Sequence, residues 1–92
     1  MSETIRVDTA RVEAREVEGE LVILDLKGQR YLGGNRSTAV LWPLLVEGAS
    51  QEALADRLVS EWEIDAGRAK GDVDDLVRAL ESLDLLSREV VG

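Results

Sequence analysis

Three carboxylates crowd one short stretch, where Asp72, Asp74 and Asp75 stand close enough in sequence to raise metal binding or acid–base chemistry. On a helix they do not converge: Asp74 lies about 200° around the axis from Asp72, and no flanking pattern matches a calcium loop. A solvated acidic face accounts for them. Gly33-Gly34-Asn35 has the composition of an anion-binding turn, but its spacing fits no phosphate loop and no Lys follows it. The chain has no histidine and no cysteine, which removes the commonest general base and metal ligand, thiolate catalysis and disulfides together. No cofactor, no metal and no enzymatic step is expected. The chemistry that remains is main-chain hydrogen bonding, and one stretch offers it: Gln29, Arg30, Tyr31 and Leu32 read as a strand with no partner in the sequence for its outer side.

That strand belongs to a hairpin. Two β-rich runs, 21–26 and 29–32, flank Lys27-Gly28. A two-residue loop ending in Gly predicts a primed turn with φ > 0 at Gly28. The loop sets Leu26 opposite Gln29, Asp25 opposite Arg30, Leu24 opposite Tyr31 and Ile23 opposite Leu32, so the one opposite-charge pair falls directly cross-strand. Upstream, the alternation in RVEAREV over 11–17 predicts a half-buried strand, with Glu18-Gly19 as the turn into the hairpin. Residues 1–10 offer only Ile5 and Val7 to a core and are expected to fray.

After Asn35 the apolar period lengthens from 2 toward 3.6. Ser37 or Thr38 is expected to cap a helix through Leu45 that closes at Gly48, with Pro43 kinking it or shortening its first turn. Trp42 reads as a core anchor. Ser50 caps a second helix over 51–62, and Asp65 a third over about 66–83 with the stripe Ala69, Val73, Leu76, Val77, Leu80 and Leu83. Leu85 and Leu86 end the core, and 87–92 reads as a loose tail. The expected fold is α+β and winged-helix-like: a three-stranded antiparallel sheet followed by three helices, one domain over 1–92 with its ordered core at about 11–87.

Nineteen acidic against eleven basic residues give a net charge of −8. That field repels nucleic acid and anionic lipid and favours a neutral or basic partner, or serves solubility alone. The third helix carries Asp72, Asp74, Asp75 and Glu81 against Arg68, Lys70 and Arg78, the wrong balance for a DNA-recognition helix. No apolar run is long enough to span a bilayer and no signal pattern opens the chain, so neither nucleic acid nor membrane is an expected partner, and the expected location is the cytoplasm.

A peptide partner uses what is present. An extended segment pairing with the edge at Gln29 to Leu32 adds a fourth strand, with its side chains meeting Tyr31 and Leu32 on one side and Asp72, Val73, Leu76 and Leu80 on the other. In LVILDLKGQRYLGGN, then TAVLWPLLVEGAS, then GDVDDLVRALESLDLL, the sequence resembles the PqqD-like family, the small domains that recognise leader peptides of ribosomally made, modified peptides. Within it, the chain is most similar to the stand-alone leader-binding proteins of lasso peptide pathways. The resemblance covers about 21–86 and departs at Gly34, where members often carry Leu, and at Asp84, where a Gly often precedes the final Leu pair. It implies a leader docked along Gln29, Arg30, Tyr31, Leu32 and Gly33 and against Asp72, Val73, Asp75, Leu76 and Leu80, and a separate cysteine peptidase that receives the cargo. Two alternatives stay open: an adaptor or dimerisation module that pairs this edge with a second copy, and a peptide chaperone of another modified-peptide pathway.

Overall fold

The computed structural model describes residues 2–18, 20–33 and 36–91. β2 (Val12–Val17), β3 (Glu20–Asp25) and β4 (Arg30–Gly33) form an antiparallel sheet in that order, followed by α1 (Arg36–Glu47), α2 (Gln51–Trp62) and α3 (Ala66–Ser82). This is the expected α+β arrangement. The winged-helix likeness is a loose one, because a second, two-stranded sheet ties the ends of the chain together. β1 (Ser2–Val7) pairs antiparallel with β5 (Leu86–Val91) from Ser2↔Val91 to Val7↔Leu86.

Residues 2–7 and 86–91 are paired strands rather than the frayed ends that the composition led one to expect. Ile5 and Val7 are 0% and 1% exposed. Ile5 exchanges backbone hydrogen bonds with Ala49 at 2.7 and 3.0 Å, so β1 is bonded both to β5 and to the α1–α2 junction. Two apolar residues in a polar decapeptide suffice because both enter the core, where each stabilises by about 2 kcal/mol. Gly48 adopts φ +97° where that junction turns, and a Cβ there would press on Arg6 and Thr4.

The β3–β4 register is the expected one, from Asp25↔Arg30 to Val22↔Gly33. The turn that sets it is different. Positive φ falls on Gln29 (53°), not on Gly28, and the connection spans four residues, Leu26 to Gln29. Asp25, 3% exposed, explains both facts. Its Oδ1 accepts from the backbone N–H of Lys27 at 3.2 Å and Gly28 at 3.1 Å, while Arg30 donates to Oδ2 at 3.2 Å. A Cβ on Gly28 would stand 2.6 Å from that Oδ2. Glycine is needed here for close approach to a carboxylate rather than for its backbone angle. The turn between β2 and β3 includes Glu18 at φ 53°; Gly19 lies outside the described residues.

α1 begins at Arg36, so Ser37 and Thr38 occupy its first turn instead of capping it, and it runs through Pro43 as one element. Gly34 and Asn35, on the approach to it, lie outside the described residues. The other caps are as read from the sequence: Ser50 Oγ accepts from Ala53 N–H at 3.0 Å, and Asp65 Oδ1 from Arg68 N–H at 2.9 Å. α3 ends in a paired-bond cap, with Asp84 N–H donating to Glu81 C=O and Leu85 N–H to Leu80 C=O. That geometry requires a left-handed residue, and Asp84 takes it at φ 58°, a conformation that glycine adopts at less cost. The core joins Ile5, Ile23, Leu41, Leu45, Leu54, Leu58, Leu80 and Leu85, with Trp42, Trp62 and Ile64 packed against it.

Candidate peptide-binding edge and cleft

The three-stranded sheet has two outer edges, and their side chains differ. β2 carries Glu13, Arg15 and Glu16 along its exposed length, with Arg15 and Glu13 ion-paired at 3.1 Å. Charge of this kind is how sheets discourage further pairing. β4 has only Arg30 at its start, already engaged by Asp25, and continues as Tyr31, Leu32 and Gly33, with no strand on its outer side among the described residues. The unguarded edge is β4.

Alternation along β4 assigns its side chains to two faces. Leu32 lies opposite Ile23, which is 1% exposed, and so points inward; Tyr31 lies opposite Leu24 on the outer face and is 76% exposed. The inner face meets α3 across a gap. α3 packs on α2 and β5, and a cleft of about 190 Å³ separates it from β4, lined by Leu32, Gly33, Ser37, Thr38, Asp72, Asp75, Leu76 and Ala79.

The sequence-derived set therefore divides. Leu32, Gly33, Asp72, Asp75 and Leu76 come together in the cleft. Arg30 and Tyr31 share the edge but not the cleft. Gln29 lies in the turn. Val73 and Leu80, 1% and 0% exposed, belong to the core, and Val73 borders a separate groove between α2 and α3. Helical geometry accounts for the division: Asp72, Leu76 and Ala79 form one row of α3, while Val73 and Leu80 lie on the row turned to α2 and the core. Ser37, Thr38 and Ala79 were missed. A serine and a threonine ahead of an apolar helix read as caps, and only the true helix start at Arg36 shows that they line a cleft instead.

The electrostatics of the edge are set at its first residue. The backbone N–H of Gly28, and after it the Arg30 guanidinium, hold the Asp25 carboxyl below the usual carboxylate range, against the opposing effect of burial. A charged Asp25 clamps the turn and keeps Arg30 at the head of the strand. Among the described residues no group of acidic side chains could hold a metal ion, and no helix is long and apolar enough to cross a membrane.

The family model for coenzyme PQQ synthesis protein D (PqqD) matches residues 20–86. No curated protein matches the chain. Two solved structures resemble it over nearly its full length. One is TbiB1 in complex with the TbiA(beta) leader peptide, with TM-score 0.77, 26% identity, and 95% of this chain and 99% of that one covered. The other is a lasso peptide synthetase B1 complexed with the leader peptide, with TM-score 0.75, 24% identity, and 90% and 96% covered; this second likeness shows the fold.

Proposed function

The chain belongs to the PqqD family, and from that premise we propose that it is a non-catalytic recognition domain that binds the leader segment of a ribosomally made precursor peptide, of the lasso type. The leader adds a strand to β4. Its backbone supplies the affinity, one set of alternate side chains enters the cleft between β4 and α3, and the other set lies over Tyr31 and Leu24. The observation that carries this reading is the edge of β4, unpaired among the described residues and with its one charge engaged by Asp25, beside that cleft. The leader-peptide complex formed by the similar protein TbiB1 supports it. The bound peptide is presented to a separate leader peptidase, and the domain acts by raising the local concentration of substrate at that enzyme.

The test uses a synthetic leader segment of a lasso-type precursor peptide. Titrated into isotopically labelled protein, it shifts the amides of residues 30–33 and those facing them on α3, with a Kd at micromolar or below, about 8 kcal/mol or more. Tyr31→Ala, at an exposed position, weakens binding by about 1 kcal/mol or more without unfolding the domain, and Arg15→Ala on the opposite edge does not. Binding without any shift at β4 removes the strand-addition mechanism.

A further inference from the structure

Beyond Asp72 the cleft opens into a larger groove of about 420 Å³, lined by Arg36, Ser37, Trp62, Ile64, Arg68 and Asp72. Ser37 and Asp72 line both cavities, so the two spaces adjoin. Its charge runs against that of the molecule: two guanidiniums face one carboxylate, in a chain of net charge −8. Arg6, Arg11, Arg15, Arg30, Arg57 and Arg88 are all ion-paired. Among the described residues the remaining arginines, Arg36, Arg68 and Arg78, form no ion pair, and two of these three meet in this one groove. Both are exposed, while Trp62 and Ile64 beside them are half-buried and supply an apolar wall. A guanidinium that forms no ion pair, next to an apolar wall, matches a carboxylate flanked by an apolar side chain, which it can bind through two parallel hydrogen bonds.

We propose that this groove reads an acidic residue adjoining an apolar or aromatic one in the peptide whose strand lies along β4, held by Arg36 and Arg68 against Trp62 and Ile64. The inference rests on strand addition and extends the recognised sequence beyond the paired segment.

The full chain and its Arg36→Glu/Arg68→Glu variant are each used to select binders from a displayed library of short random peptides. Circular dichroism and the thermal midpoint establish that the variant is folded, and Arg36→Gln/Arg68→Gln replaces it if it is not. The unaltered chain enriches Asp or Glu beside an apolar residue, at a constant offset from an alternating stretch. The charge-reversed variant enriches Lys or Arg at that offset, and the neutral one enriches neither charge there. In an enriched peptide, Glu→Gln weakens binding to the unaltered chain about tenfold and leaves binding to the neutral variant unchanged. If all proteins select the same sequences, and those peptides still shift the amides of residues 30–33, the groove does not read charge while strand addition stands. If nothing is enriched over bare beads, or the shifts lie elsewhere, strand addition fails and this inference with it.

Discussion

Asp25 shows how one side chain sets the geometry of a sheet edge it does not itself form. Its carboxylate closes the turn through two backbone N–H groups and fixes Arg30 at the start of β4. Because its folded pKa lies below the ordinary value of about 3.9, the stability it contributes is fully present above that value and disappears as pH falls through the folded one. Asp25→Asn retains an acceptor oxygen for the turn but loses the charge. In urea titrations at a series of pH values, the parent chain is expected to exceed this variant in denaturation midpoint above about pH 4, with the gap narrowing toward more acidic solution. A gap that stays constant with pH would mean that the charge of Asp25 contributes nothing to the clamp.

Among the elements, the helices and the hairpin register were legible in the sequence because local chemistry decides them. Ser50 and Asp65 cap their helices, the Ala69–Leu80 stripe has a clear period, and Asp25 and Arg30 are bound to face each other in either a two- or a four-residue loop of that register. β1 and β5 were not legible. Their pairing is antiparallel between opposite ends of the chain, from Ser2↔Val91 to Val7↔Leu86, and neither strand has an alternation strong enough to announce a partner at that distance. The cleft was half legible for a related reason: periodicity identifies the apolar row of α3 but not which neighbour each member faces, so Val73 and Leu80 went to the core. The energetics of β1 are open to direct measurement. Ile5→Ala is expected to cost about 2–5 kcal/mol in chemical denaturation, the range for a fully enclosed aliphatic side chain, whereas a frayed terminus would give a loss below about 0.5 kcal/mol.

For the molecule as a whole, an unguarded strand edge is an invitation to any extended chain, including a second copy of this one. Three features oppose self-pairing. β4 is only four residues long, so an edge-to-edge dimer would gain few main-chain hydrogen bonds, each worth only about 1 kcal/mol net. Each partner would bring a charge of −8, and their mutual repulsion falls directly on the approach of two copies. The long edge at the other side of the sheet is lined by Glu13, Arg15 and Glu16, so a sheet extended at β4 cannot continue growing at β2. A leader peptide would meet the same four-residue limit, but it need not be acidic overall and would add contacts of its own side chains in the cleft. Sedimentation equilibrium without peptide should therefore return the monomer mass of 10.1 kDa at low salt and again near 1 M salt, where the Debye length shrinks to about 3 Å and repulsion is screened. A species of twice that mass that dissociates when peptide is added would show that the edge is stored by self-pairing. One that persists in the presence of peptide would turn the edge into a dimer interface and leave leader binding without its strand.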